Sequence, residues 1–243
     1  MTEPIGPIRP TEPTEPTEPT GSSEPCESSE RSSVTPGASF GSMTLLVIAK
    51  EPRPGRVKTR LTPPFTPEEA AWLAEAALAD TLDVVVRTPA RRRVLVLDGA
   101  PGPWLPTGIE VVPQCAGGLD ERLAAAFARC DGPALLIGMD TPQVTPELLT
   151  VDFADCDAYF GPAEDGGFWA LGLAAPDPGL LRGVPMSAPD TGAVQRRRLA
   201  HLRVRELPRL RDVDTAYDAE AVAGAAPGGR FAARLARLTA THR

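Results

Sequence analysis

The chain has 243 residues and a formal net charge of −7, a length that fits one domain or two small ones. Residues 1–42 carry seven Glu against two Arg, so most of the negative charge sits there and the rest of the chain is nearly neutral at −2. A near-neutral body excludes a nucleic-acid or membrane-surface binder that works by bulk charge.

Residues 1–42 repeat Thr-Glu-Pro four times and then run into a Ser-rich stretch. Proline has no N–H for a ladder, and few large apolar side chains are present to offset the entropy of ordering. This predicts a disordered tail over 1–42 and a folded domain over 43–243. The tail lacks the positive start and apolar core of a secretory signal, and no later run reaches the ~18 apolar residues of a membrane helix. The chain therefore reads as cytoplasmic, and Met43, directly before the first apolar run, as an alternative start of the folded domain. The four cysteines have no C-x-x-C pair, which argues against zinc. They read as small buried hydrophobes, with Cys26 in the tail.

In chain order, residues 44–49 (TLLVIA) form a continuous apolar run, the pattern of a strand buried on both faces. Thr66-Pro67-Glu68-Glu69 is a helix start, with a Thr cap, Pro at the first position and acids in the first turn. That helix is predicted through about residue 86. Strands follow at 93–97 and 108–112. An apolar stripe at Leu119, Leu123, Phe127 and Cys130 predicts a helix over 119–130. Residues 134–137 (ALLI) are another buried strand, and Thr145-Pro146-Glu147 starts a short helix. Strands at 157–160 and 168–173 flank a Gly-rich turn, one more strand falls at 202–207, and helices begin at 216 and at 230. The alternation predicts an α/β fold, an open and mostly parallel sheet with helices on both faces. Ligands of such sheets lie beyond the carboxyl ends of the strands.

Four segments carry candidate chemistry. The loop after the first strand holds Lys50, Arg53, Arg56, Lys58 and Arg60, and Lys50 and Lys58 are the chain's two lysines. Such a loop clamps a di- or triphosphate, Lys acting as a compact charge and Arg as a bidentate fork, and Gly55 allows close approach of the backbone. It is not a P-loop, because Val57 stands where glycine must precede Lys-Thr. The second segment is Gly138-Met139-Asp140-Thr141-Pro142. A carboxylate at Asp140 suits Mg²⁺ or Mn²⁺ held against a diphosphate, or else it caps the next turn. The third, Glu164-Asp165-Gly166-Gly167-Phe168-Trp169, reads as an acceptor wall, as a hairpin turn, or as both. In the fourth, Asp212 and Asp214 alternate about Val213, so an extended backbone turns both carboxylates to one side. They complete a metal site with Asp140, or Asp214 or Thr215 caps the next helix. No Ser/His/Asp order with a nucleophile elbow is present. The runs 91–93 and 196–198 of arginine lack interleaved aromatics and read as solvated ends.

The series IAKEPRPGRVKTRL, GMDTPQV, GPAEDGGFWALGL and LRDVDTAYD resembles a bacterial family of GT-A-type glycosyltransferases that includes the arsenosugar-biosynthesis type. It is more distantly similar to the phospholactate and molybdenum-cofactor guanylyltransferases. The resemblance runs from Met43 to the last helix. It implies a GT-A fold, Mg²⁺ or Mn²⁺, and a nucleotide sugar or nucleoside triphosphate as donor to a small-molecule acceptor. Carried over, Lys50, Arg56, Lys58 and Arg60 would hold donor phosphates. Asp140 and Asp214 would bind metal, Asp140 and Asp165 would serve catalysis, and Gly166, Gly167 and Phe168 would border the acceptor. The guanylyltransferases place Thr or Asn soon after the double glycine, where this chain has Phe168-Trp169. That departure implies a flatter or more apolar acceptor. Glycosyl transfer is thus the leading expectation, nucleotidyl transfer with release of pyrophosphate the next, and a silent nucleotide-binding module the third.

Overall fold

The first apolar run becomes β1 (Thr44–Lys50), buried along its length apart from half-buried Ile48 and exposed Lys50. The computed structural model describes residues 43–241; the predicted disordered tail over 1–42, with Cys26, and His242 lie outside them. After a 3-10 turn at Thr59–Leu61 comes α1 (Pro67–Arg87). Its start is a reciprocal cap: Glu69 N–H donates to Thr66 Oγ1, and Thr66 N–H donates to the Glu69 carboxylate, satisfying two orphan donors at once.

The chain continues through β2 (Arg92–Asp98), β3 (Glu110–Pro113), α2 (Leu119–Phe127), β4 (Ala134–Ile137) and α3 (Pro146–Leu149). It then forms β5 (Ala158–Pro162), β6 (Phe168–Leu173), α4 (Thr191–Arg198), β7 (Val204–Glu206), α5 (Ala216–Ala225) and α6 (Arg230–Thr241). The sheet is seven-stranded, in the order β3-β2-β1-β4-β6-β5-β7. Neighbours run parallel except at β6, which is antiparallel to both β4 and β5. From β1 the chain steps outward to β2 and β3, then returns to place β4 on the other side of β1. The strand order therefore reverses between β1 and β4, and a crevice must open at their carboxyl ends.

Alternation along β1 assigns the two faces. Leu45 and Val47 pack under α1 with Ala74, Leu78 and Leu82. Leu46, with Val94 and Val96 of β2, packs under Leu123 and Phe127 of α2. A third cluster joins Leu73 and Ala77 of α1 to Phe231 and Leu235 of α6 and Val222 of α5. α1 is thus covered by the sheet and by helices, and each fully buried Leu contributes about 1.5–3 kcal/mol.

Two boundaries moved for local reasons, and one helix was added. β3 starts at Glu110 because Gly108 takes φ +85°, outside the strand region. α2 stops at Phe127, and the Arg129 and Cys130 amides bond three residues back to tighten the end. α4 was not expected at all. Its buried residues are Thr191, Gly192 and Gln195, so no apolar stripe announces it. The cysteines also differ: Cys156 is buried and Cys130 half-buried, but Cys115 is exposed on the loop after β3. The arginine runs are tied down, Arg92 by Glu110, Arg93 by the Val85 and Thr88 carbonyls and Arg196 by Glu206.

Candidate active site

The crevice at the β1/β4 reversal is a cavity of about 800 Å³. Lys50 ends β1 and reaches it, and its amide donates to Met139 Sδ at 3.3 Å, joining the ends of the two strands. Lys50, Arg56, Lys58 and Arg60 all line it, as do Asp140, Asp165, Gly167 and Phe168. Asp212 and Asp214 line it as well.

Lys58 is the centre of the arrangement. Its backbone takes φ 48°, ψ 39° just before the 3-10 turn, a left-handed conformation uncommon outside glycine. That turn carries the side chain inward until it is 8% exposed, with Nζ 2.9 Å from Asp140 Oδ2 and 3.5 Å from Asp214 Oδ1. Burial works against the ammonium charge, but Asp140 and then Asp214 outweigh it and raise its pKa. Arg60 Nη1 holds the other Asp214 oxygen at 2.8 Å.

The 211–214 strip is fixed by backbone bonds. Val213 N–H donates to Asp140 O at 3.0 Å, and Gln143 Nε2 donates to Arg211 O at 2.7 Å. Val213 is buried in the helix-side core, so Asp212 and Asp214 turn to the cavity as alternation requires. Capping of α5 falls to Thr215, paired reciprocally with Asp218, which leaves Asp214 to the cleft. The Asp212 pKa is pushed up to about 7, first by burial and then by the charges of Asp140 and Asp165.

The β5–β6 connection is a hairpin turn as well as a wall of the cavity. Asp165 Oδ1 accepts from Gly167 N–H at 2.8 Å, and Gly166 takes φ +91°. Gly166 itself does not line the cavity. Trp169 is committed to the core, its Nε1 donating to Pro208 O at 3.0 Å, while Phe168 is half-buried at the cavity wall. Gly55 also lies off the cavity, and its φ of +72° marks a turn requirement. Arg53 is held by Glu51 at 2.7 Å. It lines a smaller adjoining cavity of about 290 Å³ with Lys50, Arg56 and Asp98.

Two groups of cavity residues were missed in the sequence. Gln114 and Arg122 form one. Arg122 Nη1 donates to Asp98 Oδ2 and Gln114 Oε1, both at 2.9 Å, while Gln114 Nε2 donates to the Ala49 and Val96 carbonyls. The strand-end rule applied to β3 would have found Gln114. The other is the segment 186–191, for which no motif gave notice.

For a divalent metal, the donor chemistry fits. Asp140 and Asp214 are hard carboxylates that already share one cation, and the acid excess around them is strong enough to raise Asp212. Among the described residues, no three His, Cys, Asp or Glu side chains stand grouped as a ready-made metal site, and the Lys58 ammonium contacts both Asp140 and Asp214.

The protein is thus a seven-stranded, mostly parallel α/β protein with a charged cleft at its strand-order reversal. The family model DUF2064, described as an uncharacterized protein conserved in bacteria, matches residues 72–188. The fold is shared with the crystal structure of a proposed nucleotide-diphospho-sugar transferase from Desulfovibrio desulfuricans G20. That protein is 25% identical with a TM-score of 0.74, over 83% of this chain and 96% of that one. More general likenesses include a manganese complex of a Mycobacterium tuberculosis H37Rv protein, 24% identical with a TM-score of 0.46 over 75% and 98% of the two chains. Another is the inositol-1-phosphate CTP transferase of T. maritima, 10% identical with a TM-score of 0.49 over 77% and 96%. No curated protein matches the chain.

Proposed function

We propose that the protein is a nucleotide-dependent transferase, and within that class a glycosyltransferase that moves a sugar from a nucleotide sugar to a small-molecule acceptor. The observation that carries the reading is the meeting of Lys58, Asp140 and Asp214 at the strand reversal, below a loop of further cations. The likeness to the Desulfovibrio structure supports it.

In this reading Lys50, Arg56 and Arg60 engage the donor diphosphate, and Lys58 keeps the two acids beside it from repelling it. Mg²⁺ or Mn²⁺, when bound, supplies positive charge against the departing diphosphate, and Asp140 and Asp214 would hold it. An acceptor oxygen forms a bond to the anomeric carbon, and the bond from that carbon to the diphosphate oxygen breaks. The electron pair leaves with the nucleoside diphosphate, and the acceptor proton passes to Asp165, whose second oxygen is not used by the hairpin turn. Fixed charges aimed at the leaving group are commonly the largest single contribution to such a step.

The test is product analysis with the full chain, a panel of nucleotide sugars and nucleoside triphosphates, and Mn²⁺. Metal-dependent release of a nucleoside diphosphate is expected. Release of pyrophosphate would replace glycosyl transfer with nucleotidyl transfer. Absence of any nucleotide-induced thermal stabilisation would overturn the whole reading.

A further inference from the structure

Lys58 occupies the oxygens that a metal ion would need. Its Nζ lies 2.9 Å from Asp140 Oδ2 and 3.5 Å from Asp214 Oδ1, and Arg60 Nη1 takes the second Asp214 oxygen at 2.8 Å. Three of the four oxygens of these carboxylates are therefore already paired with cations. Mg²⁺ draws its ligand oxygens in to about 2.0–2.1 Å. At that range an ammonium left on the same oxygens repels it. Lys58 must leave before a dication can use both acids.

The acids are not free to step aside instead. Val213 N–H donates to Asp140 O at 3.0 Å, which ties the strip carrying Asp214 to the end of β4. Gln143 Nε2 donates to Arg211 O at 2.7 Å and fixes the start of the same strip. Two carboxylates held in this way repel once their shared cation is gone, so one cation has to be exchanged for another. Lys58 has the freedom to make that exchange. Val57 and Leu61, on either side of it, are buried in the core and anchor the loop's backbone. The side chain between them is a flexible stem that ends in a compact charge with rotatable donors. Lys50, Arg56 and Arg60 of the same loop line the same cavity, where the transferase reading puts the diphosphate.

We propose that this cleft takes a divalent cation and a diphosphate together, as one ligand, and that Lys58 is the counter-ion that enforces this. The inference rests on the transferase reading above. Until both arrive, Lys58 screens Asp140 and Asp214. When they do, the ammonium turns to the phosphate oxygens and the acids pass to the cation. A cation alone would strand a buried ammonium without a partner, which is costly. A diphosphate alone would find Lys58 still committed to the acids. Each ligand therefore raises affinity for the other by the same factor.

Two experiments on the full chain test it. In the first, free Mn²⁺ is followed by electron paramagnetic resonance with no nucleotide present. Lys58→Met is expected to bind Mn²⁺ at least about tenfold tighter than wild type, tenfold being about 1.4 kcal/mol. Equal or weaker binding overturns the proposal. Should Lys58→Met fail to fold, Arg60→Gln, a change at an exposed side chain, takes its place. It frees one oxygen and is expected to gain about two- to fivefold, the scale of an exposed ion pair, and no gain then overturns the proposal.

The second experiment labels the lysine side-chain nitrogen for magnetic resonance. With Lys50 and Lys58 the chain's two lysines, the spectrum holds two ammonium signals, and Lys50→Arg assigns them. The Lys58 signal is expected to stay in place with Mg²⁺ alone and with inorganic pyrophosphate alone, and to move when both are present. Equal movement with either one alone, or none with both, overturns the proposal. The Mn²⁺ measurement needs no nucleotide. A chain that released no nucleoside diphosphate from any nucleotide sugar would therefore fail the transferase reading and leave that measurement as it stands.

Discussion

The halves of the sheet on either side of the β1/β4 reversal are built to different rules. β3, β2 and β1 run parallel and are backed by a long capped helix, and the loop after β1 is rich in cations. Beyond β4 the antiparallel β6 folds back against β5, α4 is short, polar and ends in Arg196, Arg197 and Arg198, and the cavity receives the carboxylates Asp165 and Asp212. The comparison teaches that the cations of the cleft come chiefly from the loop after β1, while its carboxylates come from the end of β4, the hairpin turn and the 211–214 strip.

The sharpest break of that contrast is the residue that joins the halves. Asp140→Asn should lower turnover about 10²–10³-fold, the scale for removing one electrostatic contact to a reacting group. Unchanged nucleotide affinity and unchanged turnover together would remove Asp140 from the site. Within the cationic half, Leu78→Ala opens a cavity between α1 and the sheet and should cost about 2–5 kcal/mol by denaturant titration. In the half beyond β4, Gly192→Ala pushes the 186–191 segment off the hairpin turn, since its Cβ would strike the Gly166 and Gly167 carbonyls. Acceptor KM should rise about tenfold or more, given how sharply small misplacements act, while donor Kd holds. Equal changes in both would mean that the halves are not functionally separate.

Smaller effects probe the frames of the two halves. Thr66→Ala removes the reciprocal cap of α1 and should cost about 1 kcal/mol, read by thermal melting. Asp157, beside β5, is held at about 2 by the side chain of Arg203 and then by that residue's amide. Its native pKa is depressed, so its stabilisation is present above the unfolded value near 4 and is lost as pH falls toward 2. The melting difference between wild type and Asp157→Asn should therefore be seen at pH 5 and close by pH 2. Being exposed, the pair is expected to shift melting only slightly.

Much of the cationic half was readable. Apolar runs and the Thr66-Pro67 start lead directly to β1, β4 and α1, since burial on both faces leaves a continuous pattern and caps use a small set of residues. The strand-end rule then pointed to Lys50, Lys58 and Asp140. The half beyond β4 was harder. Phe168 and Asp165 stood in a visible motif, but α4 has no stripe. The 186–191 segment is held by backbone approach to Gly166 and Gly192, which periodicity does not record.

By itself the sequence determined that the chain alternates strands and helices, that its central strands β1 and β4 are largely buried, and which loops carry charge. Those properties reside in local spacing and residue type. Only the tertiary structure decided that Lys58 stands between Asp140 and Asp214, residues 82 and 156 positions away in the chain. It also decided that Asp212 is pushed up to about 7 and that the segment before α4 meets the hairpin turn. Each of these depends on distances between remote parts of the chain, which are set by how the sheet reverses and how its helices pack.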